Sequence, residues 1–443
     1  MDLAELKMAV KAGSIDTVLI GLTDMQGRLM GKRMHAAHFV DDVVEHGAEA
    51  CNYLLAVDVE MNTVEGYAMS SWDQGYGDFV LKPDLSTLIE VPWQEATALV
   101  LCDLEWHDGR PIVASPRQIL RAQLERLKKL GWTAQAGTEL EFLVFEDSYE
   151  EAWDRKYTNL TPSNRYNVDY SMMGTAKVEP LLRRIRNSMY KAGMQVEDSK
   201  GECNFGQHEI NFRYSDALTS ADRHVIYKNG AKEIAAQEEM AISFMPKYDE
   251  REGNSCHVHL SITDDKGKNV FEGNKDIFDQ FIAGLLASVR ELTVFLAPNI
   301  NSYKRFAAGS FAPTTVAWGE DNRTCAIRTV GHGPGRRLEC RAPGADVNPY
   351  LVLSALIAGG LHGVENKLKL EPMLEGSGYA AEDKPQLPRT LHEARDLLAG
   401  SKIAKDAFGK EVIDHYLNMA RVEIETFDAA VTDWERVRGF ERL

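Results

Sequence analysis

Four short segments of this chain alternate in a way that leaves few folds open. In Gly137-Thr-Glu-Leu-Glu-Phe-Leu-Val-Phe145, a strand period of two sets Glu139 and Glu141 on one face and Leu140, Phe142 and Val144 on the other. In Gln207-His-Glu-Ile-Asn-Phe-Arg213, the residues Glu209, Asn211 and Arg213 share a face opposite Ile210 and Phe212. In Cys256-His-Val-His-Leu-Ser-Ile262, His257, His259 and Ser261 oppose Val258, Leu260 and Ile262. In Arg337-Leu-Glu-Cys-Arg341, Arg337, Glu339 and Arg341 oppose Leu338 and Cys340. An antiparallel sheet with one wet face gives the same alternation. A casual solvent face carries Lys, Thr and Ser, however, whereas these four faces carry Glu, His and Arg. Carboxylates paired on one strand face repel unless a cation lies between them. Glu139 and Glu141 therefore ask for one.

Ligand chemistry narrows the choice of cation. Several Glu with one His, and no thiolate set, suit Mg²⁺ or Mn²⁺ better than zinc or an iron–sulfur cluster. Such a metal beside several Arg suggests nucleotide phosphates. No Walker A loop is present, because Gly27-Arg-Leu-Met-Gly31-Lys32 has too few residues between its glycines and lacks the Ser/Thr. Gly331-His-Gly333-Pro-Gly335 matches neither a P-loop nor a dinucleotide turn. It reads as a flexible loop or as one that closes near phosphate. A nucleotide would be held by Arg and metal, not by a glycine nest.

Composition sets outer limits. The chain has 443 residues, with 50 Lys and Arg against 67 Asp and Glu and a formal charge of −17. That balance argues against nucleic acid or an anionic membrane as partner. The start, MDLAELKMAVKAG, has no basic stretch followed by an apolar core, and no run of about 18 apolar residues occurs. The six cysteines are scattered, without a CxxC pair. A cytoplasmic protein is expected. The apolar runs TVLIGL (17–22) and TALVLC (97–102), with turn-rich sequence between them, suggest a small, mostly β first domain. Asp108-Gly-Arg-Pro111 is the expected joint, and Ser115-Pro116 opens a helix that Gly131 ends. Residues 391–443 read as largely helical.

These motifs together resemble the glutamine synthetase family over nearly the whole chain. The matching segments are Gly137-Thr-Glu-Leu-Glu141, Gly201-Glu-Cys-Asn-Phe-Gly-Gln-His-Glu209, Gly253-Asn-Ser-Cys-His-Val-His-Leu-Ser261, Asn322-Arg-Thr-Cys-Ala-Ile-Arg328, Arg337-Leu-Glu-Cys-Arg341, Ala345-Asp-Val-Asn-Pro-Tyr350 and Asp78-Phe-Val-Leu-Lys-Pro-Asp84. The resemblance implies an α+β fold, with a β-grasp domain (1–107) and a larger α/β catalytic domain (108–443) whose antiparallel sheet forms a funnel. It implies a homo-oligomer, a dodecamer of two stacked hexameric rings with sites between neighbours. It implies two or more Mg²⁺ or Mn²⁺ per site, with glutamate, ATP and an amine or ammonia as substrates. By the resemblance, Glu141, Glu202 and Glu209 hold one metal, and Glu139, His257 and Glu339 the other. His259, Ser261 and Arg337 look like nucleotide contacts. Arg305 and Arg341, with Gly253 and Asn254, look like glutamate contacts. Arg305, Arg323 and Arg328 look like the catalytic cations, the last two also touching the nucleotide.

Two positions depart from the ammonium-using members. The aspartate that takes a proton from ammonium falls on Val64, or on Ala68 if a gap is allowed. The flap glutamate falls on Phe311, in Arg305-Phe-Ala-Ala-Gly-Ser-Phe-Ala-Pro313. The phosphoryl machinery is thus complete while both acids of the ammonium pocket are missing. This resembles the branch that joins glutamate to larger amines, such as the γ-glutamylpolyamine and γ-glutamylethanolamide synthetases, and it makes Phe311 a candidate acceptor-binding residue. The alternatives are a true glutamine synthetase with a different base, or a catalytically silent relative. A primary amine is mostly protonated at neutral pH, so a base is still needed. Asp58, Glu60 and Glu65 are candidates by proximity in sequence. Tyr379 lies where some members carry a nucleotidylated tyrosine, but Gly376-Ser-Gly-Tyr-Ala-Ala381 matches poorly and that modification is not expected.

Overall fold

The computed structural model describes residues 1–443. Its fold is α+β, built on two sheets. The smaller has six strands: β1 (Thr17–Thr23), β2 (Leu29–His35), β3 (Ala48–Cys51), β4 (Asp78–Pro83), β5 (Ile89–Glu90) and β6 (Thr97–Glu105). Its path is β2-β1-β6-β4-β3, with β5 on β6. Strand β1 runs parallel to β6, and the remaining pairs are antiparallel. The unbroken apolar run at 97–102 has a plain reason. Ala98, Val100 and Cys102 face a small core drawn from Leu6 to Ile112, while Leu99 and Leu101 point into the large core. A strand buried on both faces cannot alternate with polar residues.

The larger sheet has nine strands: β7 (Thr133–Phe145), β8 (Val196–Gly201), β9 (Gln207–Phe212), β10 (Ser215–Asp216), β11 (Ala241–Ser243), β12 (Cys256–Thr263), β13 (Trp318–Glu320), β14 (Ile327–Val330) and β15 (Arg337–Cys340). Its path is β13-β14-β15-β12-β7-β9-β8, with β10 and β11 also on β7. Three of the four alternating segments lie side by side at its centre with β15 as the fourth. Leu140, Phe142, Val144, Ile210, Val258, Leu260, Ile262, Leu338 and Cys340 all enter the large core, as the alternation requires. Arg213 lies just past β9, where its N–H is donated to the Gln195 carbonyl at 2.8 Å.

The helix at Pro116–Lys128 follows Ser115, but the Ser115 side chain makes no capping hydrogen bond. Its important residue is Arg117, 4% exposed, which pairs with Asp84 (2.8 Å) and Asp103 (2.5 Å) beside the small sheet and with Asp222 (2.9 Å) in the helix Ala217–Gln237. The Tyr350 hydroxyl also donates to Asp222, at 2.7 Å. A buried charge satisfied from both bodies fixes their mutual orientation, because separating them strands a desolvated guanidinium. The tail is helical at Leu391–Gly400, Lys402–Phe408, Lys410–Ala429 and Asp433–Gly439. No helix is long and apolar enough to cross a membrane.

Candidate active site

Strand register assembles the polar face. His257 stands opposite Glu139 on the β12–β7 ladder, and His259 opposite Glu339 on β12–β15. Glu141 stands opposite Glu209 on β7–β9. Two three-residue groups result, Glu139–His257–Glu339 and Glu141–Glu202–Glu209, each with its ligand atoms within 4.8 Å of one another. They are the two sets that the resemblance separated.

The first group offers two carboxylates and an imidazole. His257 turns Nδ1 to Glu139 Oε2 (3.1 Å) and Glu339 Oε1 (3.7 Å). Burial, then the nearby Arg341 charge, lowers its pKa to about 4, so the ring is neutral and fit to donate a lone pair to a cation. Burial pushes the Glu139 carboxyl up, but hydrogen bonds from His257 and His259 outweigh it and hold the group below the carboxylate range. His259 Nε2 donates to Glu139 Oε1 at 2.8 Å while its Nδ1 accepts from Arg337 Nε at 3.1 Å. That pair of bonds fixes the His259 tautomer and aims Arg337 along the same wall.

The second group is three carboxylates under strain. Burial and the Glu202 charge push Glu141 up to about 8. Burial and the Glu141, Glu139 and Glu202 charges push Glu209 well above the carboxylate range. Gln207 Nε2 (3.0 Å) and the Ser255 N–H (2.7 Å) hold Glu141 Oε2 in place. Lys200 contacts Glu202 and is the one ammonium at the cluster. Oxygen-only donors whose charges crowd one another in this way fit a hard divalent cation such as Mg²⁺ or Mn²⁺.

The arginines form the far wall. Arg328 Nη1 donates to Glu339 Oε2 at 2.7 Å, and its Nε to Asp321 Oδ1 at 3.1 Å. Arg341 pairs with Glu339 through Nη1, and its Nε donates to the Arg323 carbonyl at 3.0 Å. Arg323 itself is exposed, and Ser261 sits half-buried further along β12. Arg305 is 1% exposed, and its Nη2 is spent on backbone carbonyls, including that of Pro343 at 2.7 Å. Burial lowers its pKa to about 10. Asn254 is buried, donating Nδ2 to the Met245 carbonyl (2.8 Å) and accepting from Gln207 Nε2 (3.0 Å). A Cβ on Gly253 would fall 2.2 Å from the Pro246 carbonyl, so only glycine fits there.

The acceptor side is built from loops. Phe311 is 57% exposed and has φ 58°, a left-handed conformation that costs a bulky residue on the order of 1–3 kcal/mol. The three base candidates are not brought to this place within one chain. The Asp58 carboxylate accepts from the Glu60 and Asn62 N–H groups, at 3.0 and 2.8 Å, and shapes its own turn. Asp58 and Glu60 line a separate cavity of about 1100 Å³ together with Lys228, Lys232 and Glu423. The Glu65 carbonyl is held by Asn418 Nδ2 (3.1 Å) and Arg421 Nη2 (2.9 Å) of the helix Lys410–Ala429. Sequence reasoning missed Lys200, Gln207 and Asp321 as members of the site. Gln207 lies inside the Gly201–Glu209 motif and Lys200 just before it, so both could have been found there. Asp321 follows no period that would mark it as a partner of Arg328.

Known proteins resemble this chain over nearly its whole length. Residues 113–438 match the glutamine synthetase catalytic domain. The chain is 60% identical to the gamma-glutamylethanolamide synthetase of Streptomyces coelicolor, over 99% of this chain and 96% of that one. It is 38% identical to a glutamate–isopropylamine ligase of a Pseudomonas species, over 97% and 96% of the two chains. A solved complex of GmaS with ADP superposes with a TM-score of 0.87 at 27% identity, covering 98% of this chain and 99% of the other. The chain belongs to the glutamine synthetase family.

Proposed function

We propose that the protein is an ATP-dependent ligase that joins the γ-carboxylate of L-glutamate to a primary amine. The observation that carries the reading is the contrast within one site. The six metal-ligand candidates fall into two groups, one of which meets Arg328 and Arg341 through Glu339, while the flap presents Phe311 where the ammonium-using members present an acid. The 60% identical relative makes ethanolamine the first acceptor to test, ahead of polyamines and smaller amines.

The chemistry runs in two displacements. A glutamate γ-carboxylate oxygen attacks the ATP γ-phosphorus and ADP leaves, giving γ-glutamyl phosphate. The free amine nitrogen then attacks the acyl carbon, phosphate leaves with the C–O bond electrons, and the amine loses a proton. Divalent cations bound at the two clusters would neutralise the carboxylates and draw charge from the phosphoryl oxygens. Arg323 and Arg328 steady the transferring group, and Arg328 must exchange Asp321 for phosphate oxygens to do so. His259, Ser261 and Arg337 hold the nucleotide. Arg341 and Arg305, with the Gly253-Asn254 turn, shape the glutamate seat. Phe311 covers the acceptor end with an apolar ring, which excludes water from the acyl phosphate and leaves room for a carbon chain.

In this reading residues 1–107 are the β-grasp unit and residues 108–443 the catalytic unit, supported by a separate core of 18 buried residues, all of which but Ile112 lie within the first. The acceptor end is completed by a neighbouring copy in a dodecamer of two hexameric rings. The exposed ring of Phe311 and the exposed Trp434, Val437 and Phe440 of the last helix support that assembly. The protein works in the cytoplasm. The test is product mass: glutamate, ATP, Mg²⁺ and ethanolamine should give γ-glutamylethanolamide, ADP and phosphate. Formation of glutamine alone, with ethanolamine unused, would defeat the reading.

A further inference from the structure

The flap carrying Phe311 is pinned from a segment far away in sequence. The Tyr379 hydroxyl donates to the Ala312 carbonyl at 3.1 Å. The preceding carbonyl, that of Phe311, accepts from Arg341 Nη2 at 3.4 Å. Two successive carbonyls, that of Phe311 itself and the next, are therefore held directly after the φ of 58° at Phe311. A left-handed bulky residue persists only when its surroundings over-determine it. Ser310 Oγ ties the flap to itself, donating to the Ala307 carbonyl at 2.6 Å, while the Tyr379 and Arg341 bonds are the ones that reach it from distant segments.

Tyr379 is itself held in register with the phosphoryl side. The Gly378 N–H donates to Thr324 Oγ1 at 2.7 Å, and the Gly378 carbonyl accepts from Thr315 Oγ1 at 2.9 Å. Asn322 Nδ2 donates to the Gly376 carbonyl at 2.8 Å. A Cβ at Gly378 would lie 2.4 Å from the Thr324 carbonyl, so the strap can lie this close only with glycine. Asn322 and Thr324 flank Arg323. The segment thus touches the turn bearing Arg323 on one side and the acceptor flap on the other.

We infer that Tyr379 is a positioning residue that keeps the acceptor flap closed over the acyl phosphate, in register with the Arg323 turn. Its hydroxyl does this through the Ala312 carbonyl and touches no reacting atom. The inference rests on the ligase reading above and adds to it the element that couples phosphate release to amide formation. When the flap loosens, water reaches the acyl phosphate and ATP is spent without product.

The test compares wild type, Tyr379→Phe and Tyr379→Ala as full-length protein, measuring amide formed per phosphate released, the KM for each substrate, and the melting temperature. Loss of one hydrogen bond that holds a closed state predicts, for Tyr379→Phe, an amine KM raised about 3- to 10-fold and a coupling ratio well below that of wild type. The KM for ATP and for glutamate, and the melting temperature, should stay close to wild type. If Tyr379→Phe keeps full coupling and the wild-type amine KM, the inference is wrong, whether or not Tyr379→Ala is impaired, since ring packing would then explain the contact. If wild type itself releases phosphate but forms no amide with any amine, the ligase reading falls and takes this inference with it.

Discussion

The two ends of the site are made of different material. The phosphoryl end stands largely on β7, β9, β12 and β15, where cross-strand register sets His257 opposite Glu139, His259 opposite Glu339 and Glu141 opposite Glu209. The acceptor end is a strained flap and a strap through Tyr379 with no strand in either, only the single 3₁₀ turn Gly378–Ala380. A sheet fixes geometry through a ladder that cannot slip by one residue without turning every side chain to the other face. Loops have no such rule and change residue by residue, so substrate choice can drift while the chemistry stays fixed.

The sharpest way to break this comparison is to damage the strand-borne end. Glu141→Gln should lower turnover at least about 100-fold with every acceptor alike, and chelation by EDTA should do the same until Mg²⁺ is restored. Steady-state rates with two amines check this. A loss confined to one amine would mean that Glu141 belongs to the acceptor pocket.

Changing the loop-borne end should act on choice rather than on power. Phe311→Glu restores the acid that ammonium-using members carry at this flap. It should shift the ratio of kcat/KM for ammonium over ethanolamine upward by about 10-fold or more, in the range that one pocket contact can supply. An unchanged ratio would place the selectivity elsewhere.

The smallest effect on activity should come from a group remote from both ends. His415 is buried, and burial lowers its pKa to about 4. A base with a lowered folded pKa leaves the unfolded chain binding more protons between about pH 4 and 6.5, so stability is full above 6.5 and falls as pH drops through that window. Melting curves should move downward with acid, and His415→Phe should reduce that slope while leaving amine choice unchanged. A slope equal to wild type would show that other buried groups carry the acid sensitivity.

This division also explains what the chain disclosed. Glu139, His257 and Glu339 could be placed together because period-two alternation states which residues share a face, and the family resemblance named the pairing. Leu99 and Leu101 were legible as strand but not as the bridge to the larger core, since an apolar run does not say which side meets what. Asp58, Glu60 and Glu65 were sought at the acceptor because they are near Val64 in sequence. Within one chain the Glu65 end of that loop is held by Asn418 and Arg421, contacts more than 350 residues apart. Tyr379 and Asp321 act through single loop contacts, which no periodicity announces.

A one-pot competition reads the acceptor preference of the site in a single measurement. Wild-type protein is given glutamate, ATP and Mg²⁺ with equal concentrations of ethanolamine and ammonium, and both amides are counted by mass spectrometry. The account predicts γ-glutamylethanolamide in clear excess over glutamine at every early time point. Glutamine in excess would contradict it, because Phe311 and the acid-free flap would then have no bearing on the acceptor.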